Sequence, residues 1–555
     1  MEKRTILAFV LSFLVLIIWS YVFVPKQDQA TKQVEIPEEE PSKVESERPK
    51  TPAVSQPASA EFAAQREEEF VPKPAEKETE IDTPYYRAIF SSAGPSILSF
   101  KLKNYRESTD PDSPLIDLVN LEKGMGDTLL VGFGETSAAE KKKILYETDR
   151  ESIRLEPGSP AKDLVFRGVT PEGVAIHQTY RFYPNQYRID LNVDFINQSG
   201  ETVTGAVAAD LRAQAPKDKK SYYSYVGLVL LLEDKLKEIK LKEASEEKLL
   251  AGRIDWMAYE DDFFISAVIP DQPEKATFRG HRSASGVLQG TYRSPSMSIQ
   301  ASEKVTSRFT LYFGPRDLGA LKQLGKKLEK AINFGWTDII AKPLLYLLRF
   351  FNRYLHNYGV SIILLTILIK ILFWPLTHKS YKSMKEMQKL QPRMAKMREK
   401  YKNDKAQLNK EMMALYKTYK VNPMGGCLPM IIQLPVFFAL FRILGTAIEL
   451  RQAPFAWWIN DLSAPDRLFN FPFEIPFMSP PYGIPVLTLL MGASMFIQQK
   501  MTPTPGDPTQ AKIMLFLPII FTFMFINFPS GLVLYWLVNN LLSIGQQYRI
   551  YKRPA

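Results

Sequence analysis

Long uncharged apolar runs constrain this chain more than any other feature of its sequence. Residues 5–24 are uncharged and rich in Leu, Ile, Val and Phe. As a helix rising 1.5 Å per residue, this run matches a hydrocarbon core about 30 Å thick. It is too long for a cleaved signal peptide, and no small-x-small site follows it before Pro25, so we expect a retained anchor. Because Lys3 and Arg4 precede it, we expect the N-terminus in the cytoplasm.

The C-terminal third holds four more apolar runs, at 358–377, 421–441, 475–499 and 513–548. The last is too long for one crossing, and Phe528-Pro529-Ser530-Gly531 divides it with turn residues. We therefore predict a hairpin of two helices, each of about sixteen residues and short for a bilayer. The chain then crosses the membrane six times.

Basic residues are concentrated between the second and third predicted crossings. The whole chain has a net charge of +10, and Lys and Arg far outnumber acids in 378–420. The positive-inside rule therefore places this segment and the basic C-terminal tail in the cytoplasm. The resulting domain prediction has seven parts. These are an anchor (1–25), a flexible linker (26–80), a periplasmic β-sandwich (81–315), basic and interfacial amphipathic helices (316–357), a second crossing (358–377), a cytoplasmic helical hairpin (378–420) and the remaining crossings (421–555).

The segment between the anchor and the C-terminal runs changes character twice. Residues 26–80 are rich in Glu, Lys, Pro, Gln, Ser and Ala, a composition that cannot bury enough surface to order itself. From 81 onward short segments alternate polar and apolar residues, most clearly over 187–195, which predicts antiparallel strands packed as a sandwich.

Two helices are predicted after the sandwich. The sequence of residues 318–332 predicts a basic helix. The Leu- and Phe-rich segment 343–354, with Arg349 and Arg353, predicts a helix in the outer interface; the alternative is the first half of a longer crossing.

The predicted sandwich offers little for catalysis. His177 shares the polar face of its strand with Thr179 and Arg181, which is typical of a solvated surface. The run Glu260-Asp261-Asp262 could do acid–base work, but adjacent carboxylates in charged loops are common. The single cysteine, Cys427, excludes an internal disulfide. We predict no catalytic residues, no metal site and no cofactor.

Lys370 is the most informative residue of the predicted crossings. It lies seven residues before Thr377, about 10 Å from the cytoplasmic boundary by helical rise, and no predicted crossing contains Asp or Glu. An unpaired ammonium at membrane depth costs at least about 2.5–3.5 kcal/mol, so such residues usually face a hydrated cavity. The alternative is that its long stem carries the charge to the headgroups. The residues alone leave both open.

Other polar side chains accompany Lys370 at membrane depth. Thr366 is one turn away, Gln433 lies between two prolines of the third crossing, and Asn539 and Asn540 lie in the last crossing. Together they could line a hydrated groove. The alternative is that each bonds a neighbouring helix, which is the commoner role of such side chains.

The basic segment repeats apolar residues at intervals of three and four on both sides of Asn403-Asp404, which predicts two antiparallel helices. We expect the apolar stripes of the two helices to pack against each other. We predict client contact as a secondary role, because Met suits surfaces that accept many apolar partners. The lysines would attract ribosomal RNA or anionic lipid. The residues predicted for client or ribosome contact are Met384, Met387, Met394, Met397, Lys385, Lys389 and Arg393.

Several stretches closely resemble the YidC family of bacterial membrane protein insertases. They are Ile369-Lys370, Trp374-Pro375-Leu376-Thr377, Leu390-Gln391-Pro392, Glu411-Met412-Met413-Ala414-Leu415-Tyr416-Lys417, Val421-Asn422-Pro423-Met424-Gly425-Gly426-Cys427, Leu450-Arg451-Gln452-Ala453-Pro454-Phe455 and Phe528-Pro529-Ser530-Gly531-Leu532. The match covers the chain from the interfacial helix onward. The anchor, linker and sandwich resemble the Gram-negative form, whose periplasmic domain is similar to mutarotase-like folds.

The resemblance implies a five-helix core around a hydrophilic groove that is open to cytoplasm and lipid and closed to the periplasm. The family usually carries Arg at the position of Lys370; Lys keeps the charge and lacks the planar guanidinium fork. The predicted substrate groove comprises Lys370, Thr366, Gln433, Tyr535, Trp536, Asn539 and Asn540. The predicted partners are nascent membrane proteins, the Sec translocon, anionic lipids and, through the short basic tail, the ribosome, with no DNA.

The resulting functional prediction is a non-enzymatic insertase and chaperone of the bacterial inner membrane. No Walker-type phosphate loop is found in the sequence, so no nucleotide is expected to drive it. Two other classes of protein fit the sequence less well. A solute transporter would show membrane-embedded acids and related halves, and neither is found. An anchored periplasmic carbohydrate enzyme would place function in the sandwich.

Overall fold

The structure is a computed structural model that describes residues 76–552 except 120, 122–127, 135–143, 215–224, 242, 420, 422–427 and 503–507. The predicted anchor, the linker up to residue 75, Cys427 and the last residues of the basic tail lie outside this range. The described residues belong to one compact unit, Lys73–Ala555.

Two β-sheets form the N-terminal part of the described chain. The strands are β1 (Glu78–Asp82), β2 (Tyr86–Ser91), β3 (Ser96–Arg106), β4 (Leu115–Asp117), β5 (Leu129–Gly134), β6 (Glu147–Thr148), β7 (Ser152–Arg154), β8 (Lys162–Val169), β9 (Val174–Phe182), β10 (Arg188–Asn197), β11 (Val203–Gln214), β12 (Gly227–Leu232), β13 (Lys235–Lys240), β14 (Lys248–Glu260), β15 (Phe264–Pro270), β16 (Lys275–Arg282), β17 (Val287–Arg293), β18 (Met297–Ile299) and β19 (Lys304–Pro315). The first strand begins inside the segment predicted as linker. A five-stranded sheet has the order β4-β3-β2-β1-β7, and a fourteen-stranded sheet contains the other strands of this domain.

The two sheets pack face to face, as a sandwich requires. Phe90 on β2 contacts the rings of Phe166, Tyr180 and Phe182 across the interface. The alternation predicted for 187–195 is confirmed, because every second residue of β10 is buried against this core. One detail of the prediction is wrong: β1 pairs with β7 in parallel, so the domain is not entirely antiparallel.

Helices make up most of the described chain after the sandwich. They are α1 (Leu318–Leu324), α2 (Asp338–Leu355), α3 (Tyr358–Leu372), α4 (Trp374–Lys400), α5 (Lys405–Thr418), α6 (Leu428–Thr446), α7 (Val486–Met501), α8 (Pro508–Phe525) and α9 (Ser530–Lys552). Short 3-10 helices cover Glu243–Ser245, Leu328–Ala331, Gly335–Thr337 and Ile448–Leu450, and a two-stranded sheet pairs β20 (Leu468–Phe471) with β21 (Tyr482–Ile484).

Several predicted helix boundaries are wrong for identifiable reasons. The basic helix over 318–332 stops at Leu324, because Gly325 takes a φ of 75° and a 3-10 helix follows. The helix predicted from 475 starts at Val486, since the apolar residues before it include four prolines at 476, 480, 481 and 485. The helix of the third predicted crossing ends at Thr446, five residues beyond the predicted end at 441, and its predicted start lies next to residues outside the described range.

The final hairpin is broken near the predicted turn, but its helices are longer than predicted. α8 has 18 residues and α9 has 23. Polar residues such as Gln546 and Gln547 continue α9 beyond the apolar run, because hydropathy marks an environment rather than the end of a helix.

The second predicted crossing is bent rather than straight. α3 ends at Leu372 and α4 begins at Trp374, with 66° between their axes. Pro375 lies in the first turn of α4, where its missing N–H removes the hydrogen bond that would continue α3. The distance of Lys370 from the boundary therefore does not follow from helical rise. Judged by length and hydropathy, none of the described helices could cross a bilayer by itself, whereas α3 and α4 could as a bent pair.

The outer surface of the helical part is strongly apolar. Phe516, Ile520 and Phe523 on α8 are each more than three-fifths exposed, and Leu489 and Leu490 on α7 are half exposed. Contiguous apolar surface of this kind is unusual on a water-soluble monomer and is stable against acyl chains.

Candidate functional site

Lys370 lies in the last turn of α3 and is only 8% exposed. Its Nζ donates hydrogen bonds to Asn539 Oδ1 at 3.3 Å and to Ser543 Oγ at 2.5 Å, both on α9. No carboxylate of the described residues forms an ion pair with it within 4.0 Å. The ammonium is therefore buried against neutral acceptors.

The sequence of α9 explains this placement. Asn539 and Ser543 are four residues apart and share one face of the helix, which packs directly against α3. The Ser543 hydroxyl also donates to the carbonyl of Asn539 at 2.7 Å, which fixes its rotamer. Lys370 thus reaches a pair of acceptors that are held in place by their own helix.

A hollow opens beside the ammonium at the bend between α3 and α4. It contains about 290 Å³ of empty space, counting solvent at its mouth. Its lining residues come from α3, α4, α6 and α9: Ile369, Lys370, Phe373, Leu376, Thr377, Ile432, Gln433 and Asn539. Four apolar side chains thus form the walls of the hollow, and Thr377, Gln433 and Asn539 are the polar groups that share it with Lys370.

The structure brings some of the predicted groove residues together. Lys370, Gln433 and Asn539 line the same hollow. Tyr535 joins them indirectly, because Gln433 Nε2 donates to its hydroxyl at 3.1 Å. These four residues form two hydrogen-bonded pairs, Lys370 with Asn539 and Gln433 with Tyr535, that meet at the hollow between α3, α6 and α9.

The other three predicted groove residues lie elsewhere. The buried Thr366 hydroxyl donates to the carbonyl of Ile362 in its own helix. Asn540 donates to Ser494 Oγ at 3.0 Å, across the contact between α9 and α7. Trp536 packs in an aromatic cluster with Phe437 and Phe525. Asn540 and Trp536 thus join neighbouring helices, whereas Thr366 bonds within its own helix.

Sequence reasoning missed the polar residues that continue from Lys370 along α9. Ser543 bonds the ammonium directly, and Gln546 exchanges hydrogen bonds of 3.0 and 3.2 Å with Thr377 of α4. Gln547 is also buried. The signal was present in the sequence, since Asn539, Ser543, Gln546 and Gln547 recur at helical spacing within an otherwise apolar run.

The methionines of the basic segment are largely covered within the chain. Met387 and Met394 pack with Leu390 against α5, and Met384 packs with Ile550 of α9. Met397 is half-buried. Asp404 caps α5 by accepting from the backbone N–H of Gln407.

The three basic residues predicted for client or ribosome contact also have partners within the chain. Lys385 donates to the carbonyl of Ile550 at 3.1 Å, Lys389 pairs with Glu386 at 3.2 Å, and Arg393 lies over the ring of Tyr419. Mutual packing of the two helices therefore accounts for most of this segment.

The acidic run of the sandwich has a structural role. Glu260 is fully buried, and its Oε2 lies 3.5 Å from Nε of Arg316. Burial raises the pKa of Glu260 to about 7, and the charge of Arg316 opposes this rise. Asp261 accepts from the N–H groups of Phe263 and Phe264, which builds a turn.

A charged junction joins the sandwich to the helices. Arg349 on α2 pairs with Asp317 at 3.3 Å and with Glu449, after α6, at 3.4 Å. Arg451 donates to the carbonyl of Arg106 on β3 at 2.6 Å. At this end of the bundle Arg349 is thus paired with carboxylates, and Arg451 bonds the backbone of the sandwich.

Two family models match this chain and together cover nearly all of the described residues. One, described as the 60Kd inner membrane protein, matches residues 350–555, and the other, the YidC periplasmic domain, matches residues 78–347. Among curated relatives, a protein of Syntrophus aciditrophicus (strain SB) is 43% identical over 100% of both chains. One of Syntrophobacter fumaroxidans is 42% identical over 99% of both. Both relatives are called membrane protein insertase YidC.

Solved structures give a weaker likeness. An active YidC insertase crystal structure with its first transmembrane domain resolved is 18% identical, covers 84% of this chain and 91% of its own, and has a TM-score of 0.36. A galactose mutarotase related enzyme from Lactobacillus acidophilus is 11% identical, covers 42% of this chain and 97% of its own, and has a TM-score of 0.30. Neither score supports an argument about function.

Proposed function

The chain belongs to the YidC family of membrane protein insertases, and we propose that Lys370 serves it as a temporary counter-ion for acidic groups of its clients. As a member of this family it is an inner membrane protein with a periplasmic domain, and it is an insertase rather than an enzyme. The observation that carries the proposal is a buried ammonium beside a hollow, and the acceptors that it bonds among the described residues are neutral.

The physical problem that Lys370 would address is the transfer of a carboxylate into the membrane. A client with one apolar segment and an acidic translocated tail must bring that charge through a medium where it costs about 2.5–3.5 kcal/mol or more. Two opposite charges 4 Å apart attract by about 4 kcal/mol at an effective dielectric constant near 20. This attraction is comparable to the cost, so it offsets entry and still permits release.

The hydrogen bonds of Lys370 support a transient role. An ammonium has three donors, and Asn539 and Ser543 take two of them. A client carboxylate can bind the third donor or displace a neutral acceptor, because a full negative charge attracts the ammonium more strongly than the partial charge of an amide or hydroxyl oxygen. Lys acts here as a point charge, so the fork geometry of Arg is not needed.

The shape of the site supports a shortened path through the membrane. The hollow lies at the bend between α3 and α4. A hydrogen bond between Thr377 and Gln546 extends the line of polar side chains beyond it, and we call this line the polar seam. A hydrated path along this seam would let a client tail start its passage below the headgroups.

We extend the proposal to topology and partners. The chain would cross the membrane six times with both termini in the cytoplasm, which follows from the distribution of Lys and Arg. Exposed lysines on α4, such as Lys379 and Lys382, would bind anionic lipid or ribosomal RNA. The insertase would act alone or beside the Sec translocon.

The proposal is tested by reversing the charge at Lys370. The purified full chain is reconstituted in vesicles, and insertion of a radiolabelled client is followed by protease protection. We expect Lys370→Glu to lower insertion of a client with an acidic translocated tail at least about tenfold, which corresponds to about 1.4 kcal/mol. The same client with an uncharged tail should insert nearly as in the wild type.

Lys275→Glu is the matched control, because it reverses an exposed charge on the sandwich, at a residue to which the proposal gives no contact with client, lipid or ribosome. It should leave both clients nearly unaffected. Equal loss of the two clients in Lys370→Glu would contradict the counter-ion role.

A further inference from the structure

A loop of exposed aromatic residues connects α6 to α7, and nothing in the insertion mechanism uses it. We call residues 457–485 the aromatic loop. Trp457 is 88% exposed and Phe477 is 85% exposed, and Phe469 and Phe473 are also largely exposed. From 468 to 485 the only charged residue is Glu474. Such a surface is unfavourable in water and indicates a partner.

The backbone presents three of these rings in a strained conformation. Trp457, Phe469 and Phe477 have φ angles of 54°, 61° and 65°, in the left-handed region that bulky side chains rarely adopt. Strain of this kind persists only where surrounding contacts enforce it, and it is concentrated at functional positions.

Hydrogen bonds at and near Phe477 tie the loop to the ends of the helices. Asn527, between α8 and α9, accepts from the N–H of Ser479 at 2.8 Å and donates to the carbonyl of Phe477 at 2.9 Å. Arg467 donates to the carbonyls of Pro481 and Ile526 at 2.8 and 2.9 Å. The loop is therefore held beside the turn between α8 and α9.

The surfaces that border the loop are apolar and exposed as well. Leu489 and Leu490 lie at the start of α7, and Phe523 and Met524 lie at the end of α8, each about half exposed or more. The aromatic loop thus continues the apolar surface that the family places in the membrane. Continuity with that surface favours lipid over a protein as the occupant.

The lengths of the neighbouring helices point the same way. α7 has 16 residues and α8 has 18, which span about 24 and 27 Å, less than the roughly 30 Å of a hydrocarbon core. Residues at their ends therefore lie near the level where acyl chains meet headgroups. Aromatic rings are enriched at this level because they combine an apolar body with polarisable faces.

We propose that the aromatic loop inserts Trp457, Phe469 and Phe477 into the outer-leaflet interface of the bilayer and so fixes the depth of the short helices beside it. The leaflet assignment rests on the six-crossing topology proposed above. The occupant is the interfacial region of a phospholipid bilayer, and no charged headgroup is required, since Glu474 is the only charged residue between 468 and 485.

The test uses the full chain with Cys427→Ser, which removes the single thiol. Phe477→Cys is then labelled with an environment-sensitive fluorophore in phosphatidylcholine vesicles that contain lipid with a doxyl quencher near the glycerol backbone. Leu249→Cys is the control, because Leu249 is a 69% exposed apolar residue on the sandwich. We expect the label at 477 to be quenched at least about threefold more than the label at 249, as interfacial burial requires.

Trp457→Cys, labelled in the same way, provides a second site if the first variant folds poorly. Equal quenching at the loop sites and at 249 would overturn the proposal. Shielding of the loop labels from aqueous iodide without quenching by doxyl lipid would also overturn it, because a protein rather than lipid would then cover the loop.

Discussion

The sandwich and the helical bundle each bury a charged side chain, and they surround it in opposite ways. In the sandwich, Glu260 is buried beside the guanidinium of Arg316, and Arg316 also donates to the carbonyls of Asp261 and Ala331. In the bundle, Lys370 bonds the neutral side chains of Asn539 and Ser543. Glu260 thus has a permanent partner of opposite charge, whereas Lys370 has none among the described residues.

This difference separates a structural charge from one that is available for binding. A buried ion pair that loses one partner leaves an uncompensated charge, so the remaining group depends on the pair. A buried ammonium with neutral partners keeps most of its attraction for an incoming anion. The environment of Lys370 also differs from that of Arg349 at the other end of the bundle, where Arg349 pairs with Asp317 and Glu449. The availability of Lys370 is thus a local property of the hollow.

The largest effect is expected from breaking the pair in the sandwich. At pH 8, Arg316→Met should lower the free energy of unfolding of the sandwich by about 3–5 kcal/mol, because Glu260 loses the positive charge that offsets its burial and the carbonyls of Asp261 and Ala331 lose their donor. Thermal unfolding of the purified full chain, followed by the circular dichroism of its β-structure, measures this. Arg181→Met is the control: it removes the exposed pair with Asp163 and should cost less than about 1 kcal/mol. Equal costs would show that burial does not distinguish the two pairs.

A smaller effect is expected from the pH dependence of the same site. The pKa of Glu260 is raised from its ordinary value of 4.5 to about 7 by burial. Its contribution to stability is therefore fully present below pH 4.5 and is lost as the pH rises through about 7, by on the order of 3 kcal/mol. Glu260→Gln should remove this loss, and unfolding of both proteins at pH 5 and pH 8 measures it. An unchanged pH dependence in the variant would mean that another group is responsible.

The smallest of these effects comes from making the bundle resemble the sandwich. Ser543→Asp places a carboxylate where Lys370 now has a neutral acceptor, so the ammonium gains a permanent partner. Insertion of a client with an acidic tail should fall about tenfold, equivalent to about 1.4 kcal/mol, in reconstituted vesicles. Ser543→Asn, which stays neutral, is the control and should retain most activity. If both variants insert the acidic client equally well, the neutrality of the site is unimportant.

The sequence predicted much of this architecture because its strongest signals are local. Alternation over 187–195 predicts a strand of the sandwich, and Phe528-Pro529-Ser530-Gly531 predicts the break before α9. Helix limits were harder to predict. Proline-rich apolar residues before Val486 are hydrophobic enough for a crossing but cannot extend a helix, and polar residues near Gln546 are helical although they are not apolar.

The composition of the site was only partly predictable because it depends on which helix faces meet. Lys370 stands out in any reading of the sequence, and Gln433 and Asn539 lie beside it in the structure. Asn540 is adjacent to Asn539 in sequence but points toward α7, because neighbouring residues on a helix are about 100° apart. Ser543 was overlooked, since a serine in an apolar run is ordinary until its partner is known.

The central claim is tested most directly by reversing two charges, the one at residue 370 and the one on the translocated tail of the client. Two clients that differ only in an acidic or a basic translocated tail are inserted by the wild type and by Lys370→Glu, in vesicles without a membrane potential. The measured quantity is the ratio of acidic-tail to basic-tail insertion. The account predicts a ratio above one for the wild type and below one for the variant. A ratio that stays the same in both proteins would contradict a counter-ion role for Lys370.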